Sequence, residues 1–117
     1  MSRYVVEGIQ RDLANGLRVG LVGFTQVGAH EVFSRVAEVM AETAEKITRT
    51  NGRERITSRE GGELHIFSRQ SRAMRGVSLD VLVILDSRAY TYGQYTALME
   101  EALPMLDAST DSEIIPA

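Results

Sequence analysis

Residues 79–86 read Leu79-Asp80-Val81-Leu82-Val83-Ile84-Leu85-Asp86. From Val81 to Leu85 every side chain is apolar and three are β-branched, so a strand here has no face to offer water. A strand buried on both faces belongs to the interior of a mainly parallel sheet covered by helices above and below. An antiparallel strand with one wet face would alternate instead. Asp86 closes the run as a turn-forming acid.

Working outward, residues 69–78 are polar, contain Gly76 and read as a loop into this strand. Before it, Arg55 to Thr57 and Glu63 to Ser68 flank the pair Gly61-Gly62, and Leu64 and Ile66 alternate with His65 and Phe67, which predicts a β-hairpin. Asn51-Gly52 marks a turn upstream. A helix is expected from Ala29 to Thr48, with Val32, Phe33, Val36, Val39, Met40 and Ile47 on one stripe. Val19 to Phe24 is a short apolar run suited to a second buried strand. Tyr4 to Asn15 places Val5, Ile9 and Leu13 at helical spacing, with Gly16 as the cap. Downstream, a helix from Gly93 to Leu103 is expected to stop at Pro104, and Ser112 to Ile115 reads as a last strand. This order gives one three-layer α/β domain over residues 1–117, with a mainly parallel sheet and one β-hairpin.

The composition fits one domain: 117 residues with 44% hydrophobic and 25% charged side chains. The chain has no cysteine, which excludes disulfides and thiolate metal sites. Met1 to Val5 carries neither a signal sequence nor a membrane anchor, and a cytoplasmic setting is expected. The net charge of −3 is unevenly spread. Arg49 to Arg75 holds seven arginines against Glu54, Glu60 and Glu63, whereas the chain from Gly76 onward holds one arginine against seven acids. A basic segment of this kind is an expected nucleic-acid contact, with Arg69, Arg72 and Arg75 as its candidate residues. Interleaved acids and a single lysine in the whole chain make a solvated hairpin the favoured reading of this segment.

Catalytic chemistry in such folds gathers at the carboxyl ends of the strands. Asp86 ends its strand where a nucleoside triphosphatase places the acid that holds Mg²⁺. Ser87 follows it, and a hydroxyl cannot serve as a base near neutral pH as a carboxylate does. The stretch Gly23-Phe24-Thr25-Gln26-Val27-Gly28-Ala29-His30 has the two-glycine spacing of a phosphate-binding loop between a strand and a helix. Residues 19–33, VGLVGFTQVGAHEVF, resemble the corresponding segment of small GTPases. Ala29 stands in the lysine position and His30 in that of the Mg²⁺-binding hydroxyl, so an ordinary strand-to-helix turn is the simpler reading. His30 and His65 are too few for a closed metal site. Tyr90, Tyr92 and Tyr95 form either a contact patch or loop packing.

A broader resemblance covers Leu17 to Ala117. The stretch GGELHIFSRQSRAMRGVSLDVLVILD, with Arg75-Gly76 and Asp86, and the later TALMEEALPMLDA are similar to the ATPase domain of phage large terminase subunits. That resemblance implies part of a P-loop NTPase core. It places the family's phosphate-binding loop before Arg18, outside this chain, and the coupling motif and nuclease domain beyond Ala117. Asp86 becomes an inherited nucleotide-site residue without its lysine and glutamate partners. The expected function is therefore a non-catalytic phage accessory or interaction domain, with no catalytic residue, no metal and no cofactor. Its expected partners are a second copy or a phage or host protein in the bacterial cytoplasm, with DNA binding or residual nucleotide binding as alternatives.

Overall fold

A computed structural model of the chain describes residues 3–50, 53–68 and 77–117. The first helix, α1 (Arg3–Ala14), buries Val6, Ile9 and Leu13. It ends because Gly16 takes a positive φ of 78°, open to glycine at little cost. The Gly16 and Leu17 N–H groups then reach back to the Leu13 and Asp12 carbonyls, the double closure typical of a glycine-terminated helix. The chain enters β1 (Arg18–Gly23) and, after two residues, α2 (Gln26–Val39). Thr25 caps α2, its hydroxyl accepting the Gly28 N–H.

The expected helix from Ala29 to Thr48 divides in two. It stops at Val39, with the Met40 carbonyl accepting the Thr43 and Ala44 N–H groups, and residues Ala44–Thr48 form a strand, β2. Ile47 lies opposite Ile56 across the sheet, and β-branched side chains at Ile47 and Thr48 suit a pleated surface better than another helical turn. Val39, expected in the core stripe, is 49% exposed.

The expected hairpin is present as β3 (Arg55–Ser58) and β4 (Glu63–Ser68), extended on its outer side by β2. The apolar run supplies β5 (Val81–Ile84), followed by a 3-10 turn at Ser87–Ala89, then α3 (Tyr92–Leu106) and β6 (Glu113–Pro116). Helix α3 opens with a capping box between Thr91 and Gln94. It does not stop at Pro104 but runs two residues further, to Leu106. Met105 and Leu106 are buried there, and the Met105 carbonyl accepts the Leu79 N–H at 2.7 Å. The proline's missing donor costs one helical bond, which this docking offsets.

The six strands of the described residues stand in the order β2-β3-β4-β1-β5-β6, with β4, β1, β5 and β6 parallel and β2-β3-β4 antiparallel. Helices α1 and α2 cover one face, where Leu13, Val36, Leu21, Leu64 and Val83 meet. Helix α3 covers the other, where Leu98, Ala102 and Met105 pack on Val22, Leu82 and Ile84. Every residue of β5 is buried, as its composition requires; each such side chain contributes about 1.5–3 kcal/mol.

Candidate functional site

The site follows from where β1, β5 and β6 end on one side of the sheet. Gly23 closes β1, and only Phe24 and Thr25 separate it from α2. A β-carbon on Gly23 would lie 2.4 Å from the Thr25 carbonyl oxygen and 2.8 Å from the Ala29 β-carbon. The glycine is thus required by a close strand-to-helix turn. Gln26, Val27 and Gly28 are already helical, so no loop remains to wrap a phosphate chain. Ala29 is buried, its β-carbon directed at the Gly23 turn. The expectation of an ordinary turn describes this segment.

Asp86 follows β5 in the left-handed region, at φ 53° and ψ 42°, a conformation aspartate adopts more readily than most residues. Its carbonyl accepts the Ala89 N–H at 2.8 Å, and Ser87 donates to the Ala117 carbonyl at 3.2 Å. These bonds fix the reversal after β5 against the end of β6. Its carboxylate points at the start of α2: Oδ2 lies 3.6 Å from where a Gly28 β-carbon would stand. Negative charge is favoured at a helix N-terminus, and Asp86 already supplies it.

These termini open into a groove of about 550 Å³ between α1, α2, β5 and β6. Its apolar walls include Val5, Ile9, Val83, Leu85 and Ile115, and its polar side chains include Asp12, Glu31 and Asp86. No lysine, arginine or histidine lines it among the described residues. Burial pushes the Asp12 carboxyl above its ordinary value, and Glu113 adds to the rise while Arg11 opposes it. Sequence reasoning missed Asp12, Glu31 and Ile115, because only the folded sheet brings α1, α2 and β6 together.

At the start of β1, Arg18 pairs with Asp80 at 3.4 Å, and its N–H donates to the same carboxylate at 2.8 Å. Burial alone would raise the Asp80 carboxyl, but the Arg18 N–H and guanidinium and the Ser109 hydroxyl hold it below its ordinary value. Phe24, Tyr90 and Tyr95 meet edge to face, with centroids 5.0 and 6.1 Å apart. Loop packing therefore accounts for two of the three clustered tyrosines, and Tyr92 stands 89% exposed.

The described part of the basic segment, residues 49–50 and 53–68, lies at the opposite end of the sheet. Arg69, Arg72 and Arg75 fall outside the described residues, as does Asn51-Gly52. Arg49, Arg53, Arg55 and Arg59 are exposed. A second groove, of about 450 Å³, runs over β2, β3 and β4, with Lys46, Arg53, Arg55, Glu54 and His65 among its lining. The His65 ring stacks parallel to Phe67 at 6.2 Å and bonds the Glu63 carboxylate at 3.0 Å. Burial pushes the imidazole below its ordinary value, opposed by the Glu63 bond. His30 lies on α2 and His65 on β4. Among the described residues no three His, Cys, Asp or Glu side chains are grouped to hold a metal ion, and no helix is long and apolar enough to cross a membrane.

Neither a protein-family model nor a curated sequence matches the chain. Solved structures do. The HK97 bacteriophage large terminase superimposes with a TM-score of 0.66 over 87% of this chain at 11% identity. The large terminase of a thermophilic bacteriophage gives 0.61 over 88% at 14% identity. The ATPase domain of the Thermus phage P74-26 large terminase gives 0.55 over 95% at 16% identity. The fold is similar to part of the phage large terminases. The chain spans 22% and 26% of the first two terminase chains and 52% of the solved terminase ATPase domain. The three-layer, mainly parallel architecture with an antiparallel hairpin is thus the terminase-like arrangement expected from GGELHIFSRQSRAMRGVSLDVLVILD.

Proposed function

We propose that this chain is a non-catalytic, terminase-like domain that works by binding another protein through the groove beside Asp86. The observation that carries this reading is the charge at the α2 N-terminus. A nucleotide site needs positive groups or open backbone N–H groups facing the phosphates. Here a carboxylate faces the helix start, Thr25 takes the Gly28 N–H, and Asp12 and Glu31 add negative charge. The residues of this groove do not fit a nucleoside triphosphate, and Ser87 offers no base beside Asp86. Apolar walls with a polar rim suit a protein surface instead. The solved structures of this fold are phage proteins by name, so the partner is a phage or host protein, or a second copy, in the host cytoplasm.

Purified protein is expected to give no heat with ATP or GTP in calorimetry and no magnesium-dependent phosphate release. Measurable turnover abolished by Asp86→Asn would sink the reading.

A nucleic-acid contact is the second reading, favoured by the exposed Lys46, Arg53 and Arg55 beside the groove over β2, β3 and β4. It requires DNA binding that weakens steeply with salt and is lost when Arg69, Arg72 and Arg75 are changed together. Salt-independent or absent binding removes it.

A further inference from the structure

The groove beside Asp86 adjoins the edge of the sheet, and two independent features of that edge specify an occupant. The first is backbone geometry. Glu113 and Ala117 donate to the carbonyls of Asp80, just before β5, and of Ile84, its last residue, so the intervening residues, Ile114 and Pro116, turn their backbone groups to the opposite side. No strand lies on that side among the described residues. Pro116 has no N–H, which leaves the Ile114 N–H and carbonyl and the Pro116 carbonyl as pairing groups. A row of this kind matches another polypeptide backbone and offers little to a compact small molecule.

The second feature is charge. Asp12, Glu31 and Asp86 line the groove with no cation among its described lining, and Glu113 stands at the start of β6. Around them the walls are aliphatic, and Ile115 is 36% exposed on the groove side. A strand placed beside β6 would send alternate side chains into this space. Those side chains have to be apolar near Ile115 and Val83 and long and cationic to reach the carboxylates.

We propose that the groove receives an extended polypeptide segment carrying lysine or arginine among apolar residues, which pairs its backbone with β6 and its cations with Asp12, Glu31 and Asp86. This deepens the protein-binding reading above and rests on it. It also separates the two ends of the sheet: the acidic edge takes the partner, and the basic end remains available.

The test uses the 117-residue chain and a fluorescent peptide of about eight residues in which valine and lysine take turns at every second position, so that both share one face, with serine between them. Two companion peptides replace lysine by glutamate or carry N-methyl groups on alternate amides. The lysine peptide is expected to bind saturably, with amide shifts grouped at Gly28, Val83, Ile114, Ile115 and Ala117. The glutamate and N-methylated peptides should each bind at least about tenfold more weakly. In the Asp12→Asn/Glu31→Gln variant, which keeps side-chain volume, the preference for lysine over glutamate should shrink several-fold. Equal binding of the lysine and glutamate peptides overturns the proposal. So do shifts scattered over the surface, no saturation by about 1 mM peptide, or a dimer in light scattering that fails to bind peptide. Magnesium-dependent ATP turnover would instead overturn the non-catalytic reading and leave the peptide result standing.

Discussion

The Asp86 carboxylate and Gly28 face one another across the start of α2, Oδ2 lying 3.6 Å from the place a Gly28 β-carbon would occupy. That distance is ordinary van der Waals contact, so a methyl group fits. Gly28→Ala is expected to stabilise the protein by roughly 0.5 kcal/mol, since alanine is the better helix former. Gly23→Ala should cost about 1–3 kcal/mol, because its methyl would collide with the Thr25 carbonyl and Ala29. Chemical denaturation of both variants checks the pair. A phosphate-binding loop would show the opposite sensitivity at Gly28, where a glycine lets the ligand approach.

A second prediction concerns Asp12. Its carboxyl titrates above the ordinary value because burial and Glu113 penalise the charge. A raised acid favours the fold at low pH and loses that contribution as pH rises through its folded value. Asp12→Asn should therefore stabilise the protein at pH 7 by about 0.5 kcal/mol, and the gain should vanish below the ordinary carboxylate range. Thermal melts at the two pH values decide it. The outcome would mark Asp12 as an acid that the fold tolerates at a cost, as binding residues often are.

Ser58 is the one buried polar side chain among the described residues. Its hydroxyl donates to the Leu13 carbonyl at 2.6 Å and accepts the Gly62 N–H at 2.8 Å, pinning the hairpin to the end of α1. Ser58→Ala leaves the Gly62 N–H without its partner, while the Leu13 carbonyl keeps the Gly16 N–H, and is expected to cost about 1–3 kcal/mol, measurable as a lower denaturant midpoint.

His65 provides a pH test in the other direction. Its folded value is depressed by burial, so stability is complete above the ordinary imidazole value near 6.5 and declines as pH falls through the window below it. His65→Gln, which can still bond Glu63, should flatten stability across that window. A wild-type curve already flat between pH 7 and 5 would contradict the assignment.

Much of the fold is legible along the chain because its signals are local. Val81 to Leu85 has no polar face, Val5, Ile9 and Leu13 keep helical spacing, and Gly16 and Gly61-Gly62 mark reversals. The misreadings arise where tertiary pairing decides. Residues 41–46, Ala-Glu-Thr-Ala-Glu-Lys, have helical composition, yet Ile47 gains a cross-strand partner in Ile56, and the chain becomes a strand. Pro104 ordinarily ends a helix, but burial of Met105 and Leu106 extends it. The site is less legible than the fold. Asp86 is conspicuous in the sequence, whereas Asp12, Glu31 and Ile115 belong to distant elements that converge only once β6 lies beside β5.

The ring contacts of Phe24, Tyr90 and Tyr95 have a practical consequence. The chain contains no tryptophan, and two of its tyrosines are held in fixed asymmetric contact where the turns after β1 and β5 meet. Near-ultraviolet circular dichroism will be dominated by these rings. The protein thus carries its own optical reporter beside the proposed binding edge, sensitive to whether an incoming segment loosens or tightens the two reversals that frame it.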